Sequence, residues 1–388
     1  MRESPSPAAP PRPRSCLLYS PQFSIYQYGP SHPLKNERLA LTFRLMEAYG
    51  LLHLEGAEVK EPRWAEEADL VLFHHPEYLQ ALQVAEAGIS FPSAPAYGLG
   101  TPDDPIFPGV YSWSLLVTGA SLSAAEAVEE GGFDFAFNMA GGLHHAHAGR
   151  AAGFCYLNDP AVMIHSLLGR GRRVAYLDLD AHHGDGVQEA FYDTDQVLTI
   201  SLHESGDTLF PGTGFPYEMG WGKGMGYSVN LPFCPGTDDE IYLWAFEEVV
   251  PPLLGSFAPD VLVTQLGIDA HRSDPLSNLS LTLQGFGKAV TRVRGVAGKW
   301  IALGGGGYNL SVVPRAWTLV WAIMNDRELD PALPQEFLEA ARPSGFSGEE
   351  LWDPPSSQSR PTNTAALRYA QKQVEFIKRN LFPIHGLA

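Results

Sequence analysis

Seven short apolar runs punctuate the chain: SCLLYS, ADLVLF, FDFAFN, RRVAYLDLD, QVLTISLH, DVLVTQLG and KWIALGGG. Several are apolar without alternation, which suits strands covered on both faces. The segments between them, near 112–130, 157–169, 238–255 and 310–325, carry apolar residues at helical spacing. Buried strands separated by helix-length connections fit a parallel sheet, because joining parallel neighbours takes a crossover of a dozen residues or more. The pattern therefore predicts an α/β chain with an open, mainly parallel sheet and helices on both faces. No repeat or composition break divides residues 15–330, so a single domain is expected over 15–388. Pro/Gly-rich stretches at 89–111, 204–226 and 269–281 read as long loops. In open α/β folds such loops form the ligand crevice at the carboxyl ends of the strands.

Composition narrows the function. A formal charge of -18 over 388 residues argues against a nucleic-acid surface, which needs clustered Lys and Arg. Cys16, Cys155 and Cys234 are far apart and form no CxxC, so neither a disulfide framework nor a thiolate metal site is indicated. With no signal-like or membrane-length apolar run, a reducing, cytoplasmic setting without membrane or nucleic-acid partners is expected. Residues 1–14 read as a disordered Pro-rich tail and 342–361 as a surface excursion. TAALRYAQKQVEFIKRN places Leu367, Tyr369, Val374 and Ile377 at roughly helical spacing, as in a docked terminal helix.

Four motifs fall just beyond strand ends. In DLDAHHGDG, Asp178, Asp180 and His182 are two apart and would share one face of an extended segment. Three ligand-type groups in that register serve no packing purpose and point to a metal. NMAGGLHHAHAGR follows FDFAFN and brings His144 and His145 to the same edge, where paired imidazoles suit proton transfer. His147 on its own reads as structural. Asp269, directly after DVLVTQLG, completes an Asp/His/Asp set with Asp180 and His182; His271 and Asp274 read more readily as turn residues. ALGGGGYN lacks the context of a nucleotide loop and reads as a flexible Gly run that delivers the Tyr308 hydroxyl.

These motifs, together with HPLKNERLALTF, YGLGTPDDPIF, AGFCYLND and HESGDTLFPGTG, resemble the histone deacetylase superfamily. The likeness is strongest to its class I-related bacterial branch, the acetoin-utilisation deacetylases, and runs over about residues 15–325. It implies the arginase/deacetylase fold and a zinc or iron ion on Asp180, His182 and Asp269. Asp178 and Asp185 would then partner His144 and His145, with His145 the general base and acid and Tyr308 the oxyanion donor. Substrate-binding positions implied in the same way are Asp103, Gly153, Phe154, Phe210, Leu276 and Gly306, with Arg38 at an inner channel. Structural potassium is implied near Asp178, Asp180, His182, Ser201 and Leu202, with a second ion near Phe191, Thr194, Val197 and Tyr227.

The resulting expectation is a metal-dependent deacetylase that releases acetate from Nε-acetyl-lysine in proteins. The alternative is deacetylation of a small acetylamine such as an acetylpolyamine, which the apolar Leu276 disfavours because a cationic substrate gains nothing from leucine. A non-catalytic acyl-lysine binder is a third reading, and the retention of Tyr308 and both histidines argues against it.

Overall fold

The computed structural model describes residues 13–89, 91–354 and 363–388. The expected tail lies outside the described residues except for Pro13 and Arg14, as does the end of the 342–361 excursion. Among the described residues, eight strands form one sheet: β1 Ser15–Leu18, β2 Ala57–Lys60, β3 Phe135–Asn138, β4 Val174–Asp178, β5 Val197–Glu204, β6 Ser228–Phe233, β7 Val261–Gln265 and β8 Trp300–Leu303. Their order is β2-β1-β3-β8-β7-β4-β5-β6, and every pair is parallel. Every strand but β2 is buried at every position, as the continuously apolar runs among them require.

The helices are α1 Glu37–Ala48, α2 Glu67–Leu70, α3 Pro76–Glu86, α4 Val110–Glu129, α5 Asp159–Gly169, α6 Asp185–Ala190, α7 Asp239–Phe257, α8 Leu283–Val296, α9 Val313–Met324, α10 Gln335–Ala341 and α11 Thr364–Asn380. They form two contacting sets, α2 to α6 and α1 with α7 to α11, as expected of helices on opposite faces of a sheet. The terminal helix docks against α7 and β6, burying Val374 and Ile377 of the expected face together with Ala366 and Ala370, while Leu367 and Tyr369 are half-buried.

Four segments differ from expectation. ADLVLF is not a strand: Glu66 and Asp69 form a capping box, Arg63 grips Asp69 at 2.7 and 3.1 Å, and the segment becomes α2, leaving Val71 and Leu72 exposed. Strands β2 and β6 are the two edges of the sheet, where a polar AEVK and a proline-bearing SVNLPF are tolerated because one side needs no pairing. The excursion after residue 342 is not all surface: Leu351 and Asp353 are buried, and Asp353 pairs with Arg315 at 3.3 Å and with His271 at 2.8 Å.

On β5, His203 is fully buried. Its Nε2 is 2.9 Å from the Gly214 carbonyl, which can only accept, so Nε2 carries the proton and the Ser201 hydroxyl donates to Nδ1 at 2.8 Å. Burial, then the neighbouring His183, pushes its pKa down to about 3, against 6.5 in the unfolded chain. A depressed folded pKa means that stability is complete above pH 6.5 and is lost as pH falls toward 3. The cost of His203→Asn, measured by urea unfolding, is therefore expected to shrink by about 2 kcal/mol between pH 7.5 and pH 5.

Candidate active site

Four adjacent central strands, β3, β8, β7 and β4, each end in one of the four motifs. Sheet pairing thus gathers His144 and His145, the Gly run with Tyr308, Asp269, and Asp178 to His182 at one edge. The turn after β3 is held from below. Asp159, at the start of α5, accepts from Gly142 N at 3.0 Å and Leu143 N at 2.9 Å. Asn158 caps α5 through Ala161 N at 2.9 Å and donates to the carbonyls of His144 and Ala146 at 3.2 and 2.8 Å. Neither was singled out from the sequence, where the only sign was an Asn-Asp-Pro ahead of a helical segment.

Asp180, His182 and Asp269 are buried and offer three ligand atoms within 4.8 Å of one another. His182 Nδ1 lies 3.1 Å from Asp180 Oδ1 and 2.9 Å from Asp269 Oδ2. Burial, then repulsion from Asp180, pushes the Asp269 carboxyl up from its ordinary value. Two carboxylates forced together in a dry site are the environment a divalent cation relieves, so the donor set fits zinc or iron. The remaining oxygens are already satisfied: Asp180 Oδ2 accepts from Gln265 Nε2 at 2.6 Å and Gly306 N at 2.8 Å, and Asp269 Oδ1 from Ala181 N at 2.7 Å. Gln265, the last residue of β7, was not anticipated.

Asp178 does not join this group. The strand ends at Asp178, and its carboxylate turns to His144 Nδ1 at 2.7 Å and Tyr176 OH at 2.8 Å. Asp185 Oδ1 meets His145 Nδ1 at 2.7 Å, and the two imidazoles face each other, Nε2 to Nε2, at 3.0 Å. One nitrogen must donate to the other, so the pair shares a proton unequally. Burial disfavours charge on both. Asp178 and Asp180 overcome it at His144, which is pushed up to about 9, whereas burial and then the charge on His144 bring His145 down to about 4. One imidazole is cationic and its neighbour neutral at the same pH.

The glycines of 304–307 are dictated by space. A Cβ on Gly306 would sit 2.1 Å from Asp269 Oδ2 and 2.7 Å from Asp180 Oδ2, and one on Gly305, where φ is +120°, would sit 2.1 Å from Gln265 Nε2. Arg38 braces the run through the Gly307 carbonyl at 2.8 Å, and Asp274 accepts from Tyr308 N at 2.8 Å. Burial, then Asp269 and Asp180, holds the Tyr308 phenol far above its ordinary pKa, so it stays a donor. Phe154 packs edge-on to Tyr308 at 5.6 Å and Phe210 edge-on to His145 at 5.0 Å, placing a phenyl ring on each side. Gly153 at φ +54° leaves no room for a side chain beside His145. Asp103 is exposed while Asp104 is buried, and Leu276 is half-buried. His271 and Asp274 stand outside the ligand trio. A cavity of ≈ 20 Å³ lies at the floor, bordered by Leu143, His144, His145, Gly306 and Tyr308.

The model of the histone deacetylase domain matches residues 32–324. The chain belongs to the histone deacetylase family. The acetoin utilization protein AcuC of Bacillus subtilis is 41% identical over 332 residues, 84% of this chain and 85% of that one. Histone deacetylase B of Dictyostelium discoideum is 40% identical over 326 residues, 83% of this chain and 76% of that one. The crystal structure of an HDAC homologue from Aquifex aeolicus superposes with a TM-score of 0.84 at 36% identity, covering 93% of this chain and all of that one. An HDAC homologue complexed with SAHA gives 0.83 at 36% identity over 94% and 100%. These likenesses establish a deacetylase-family hydrolase with the arginase/deacetylase fold, and the Asp/His/Asp group suits the metal on which the family generally depends. No helix among the described residues is long and apolar enough to cross a membrane.

Because a Cβ on Gly306 would strike both carboxylates, Gly306→Ala is expected to weaken zinc binding by roughly tenfold or more. Competition against a fluorescent chelator measures this, with circular dichroism confirming the fold.

Proposed function

We propose that this histone deacetylase family member hydrolyses Nε-acetyl-lysine in proteins to lysine and acetate, with residues 15–388 acting as one catalytic domain in the cytoplasm. The observation that carries the reading is the convergence of the Asp180, His182 and Asp269 donor set, the facing imidazoles of His144 and His145 and the Tyr308 phenol, with a phenyl ring on either side. Asp180, His182 and Asp269 would hold a zinc or iron ion, which would supply Lewis-acid polarisation of the acyl carbonyl and of a water.

The chain's own groups do the rest. His145 is neutral and takes a proton from water at Nε2 once that nitrogen exchanges its contact with His144 for the water, while Asp185 fixes its Nδ1–H and steadies the imidazolium that forms. The same nitrogen returns the proton to the departing amine nitrogen as the C–N bond breaks, since an unprotonated amide anion is too basic to leave. His144, cationic against Asp178, keeps its neighbour in the neutral state and lends positive charge to the reacting centre. Tyr308 donates to the carbonyl oxygen as negative charge builds there. Phe154 and Phe210 pack on the aliphatic lysine stem, the Gly153 carbonyl accepts from the amide N–H, and Gly306 lets the backbone border the acyl group. Asp103, which is exposed, is the residue that the family resemblance assigns to holding the substrate backbone. The apolar Leu276 supports an uncharged stem over a polyamine, whose free amines call for a carboxylate at the mouth. Potassium near Asp178, Asp180, His182, Ser201 and Leu202, and near Phe191, Thr194, Val197 and Tyr227, belongs to the same proposal by resemblance alone.

Zinc-reconstituted protein is expected to turn over an acetyl-lysine peptide and not an acetylpolyamine, and to stop when the metal is chelated. Tyr308→Phe is expected to lower kcat by about 10²- to 10³-fold while peptide binding persists. Turnover of the polyamine alone would overturn the substrate assignment and leave the chemistry standing. A floor with space for about one water also predicts that butyryl-lysine reacts more slowly than acetyl-lysine, read as kcat/KM on matched peptides.

A further inference from the structure

His147, two residues beyond the proposed base, is tied to the same carboxylate. Asp185 Oδ1 takes the Nδ1–H of His145 at 2.7 Å, and Asp185 Oδ2 faces His147 Nε2 at 3.4 Å. On its other side His147 Nδ1 meets Glu189 Oε2 at 2.5 Å. Asp185 and Glu189 stand one turn apart on α6, so the ring clamps two carboxylates of that helix to the loop after β3. The backbone at this point is fixed as well, because His147 N donates to the Arg150 carbonyl at 3.0 Å.

A second group contests His147 Nε2. Arg150 Nη2 approaches it at 3.0 Å, and a guanidinium only donates, so this contact needs the neutral ring. Asp185 only accepts and needs an N–H there. Hydrogen bonds to Asp185 and then Glu189 outweigh burial and push His147 up to about 9, so the ring is cationic at neutral pH and Asp185 is its partner. The charged groups facing the ring are Asp185 and Glu189 from α6 and Arg150 from its own loop. Glu218 borders the same hollow but is committed to Gly214 N, Phe215 N and Gln188 Nε2. A carboxylate with a cation on its far oxygen cannot rotate freely, and it pulls less strongly on the proton at its near oxygen.

We propose that His147 is a positioning residue for hydrolysis, locking Asp185 and sharing its charge so that both the orientation and the basicity of His145 are set from outside the lysine tunnel. The inference rests on the reading of His145 as the base. It assigns a role to a residue whose isolated sequence context indicated none.

A double-mutant cycle tests it. His147→Gln, which removes the cation, is expected to lower kcat roughly tenfold with KM changed by no more than about twofold, and His147→Lys, which restores a cation, to recover most of the loss. In an Asp185→Asn background, His147→Gln should cost little more, because the carboxylate through which it acts is gone. An equal loss in both backgrounds, or no loss in either, overturns the proposal. The low-field NMR resonance of the His145 Nδ1–H gives a readout that needs no turnover: it should move in His147→Gln, and an unmoved resonance in folded protein overturns the proposal too. Absence of turnover by the wild-type protein, with the resonance still moved by His147→Gln, would instead count against the deacetylase assignment alone.

Discussion

Two carboxylates, Asp180 and Asp269, are brought face to face in a fully buried pocket, and most of the surrounding architecture answers that constraint. In low dielectric, like charges at this separation repel strongly unless hydrogen bonds and a cation compensate. Backbone N–H groups of Ala181 and Gly306, the carboxamide of Gln265 and the imidazole of His182 all converge on them. The glycine at 306 is there because any side chain would occupy the space of the carboxylates themselves. The site is therefore less a pocket decorated with ligands than a fold arranged around a pair of anions.

The histidines apply the same physics in reverse. Two chemically identical imidazoles, each with a carboxylate on Nδ1, diverge because His144 lies nearer to Asp178 and Asp180 while His145 feels His144 itself. Burial alone would neutralise both; nearby charge decides which stays protonated. Asp185 differs from Asp178 in its second partner, an imidazole in one case and the Tyr176 hydroxyl in the other. The outer ring of contacts thus distinguishes two dyads that look equivalent in the linear sequence.

Much of this was legible from residues alone. The six interior strands announced themselves as apolar runs, and Asp180 and His182 stood out because strand ends rarely carry such groups for packing, while Asp269 gained meaning only in combination with them. The edge strands β2 and β6 were not legible, since the exposed AEVK needs no apolar signature and the apolar run of the buried SVNLPF is broken by Asn230 and Pro232, and ADLVLF misled because its capping box and Arg63 contact outrank β-propensity. Asp178 illustrates the limit of periodicity: the rule of two holds only while the chain is extended, and the strand stops there. Gln265, Asp159 and Asp353 were hidden for a different reason. Each acts through a partner distant in sequence, and nothing local marks a glutamine or an aspartate as a brace.

The strand order has a consequence for how the chain comes into being. During synthesis β3 and β4 emerge early, yet they are not neighbours; β7 and β8, made more than eighty residues after β4, slot between them. Until those last strands insert, the loops bearing the histidine pair and the Asp180 segment have no common edge to share. Asp269 and Tyr308 arrive on the inserting strands themselves, so the nascent chain exposes no assembled centre on the ribosome. Metal capture and catalytic competence thus become late events, coupled to closure of the sheet.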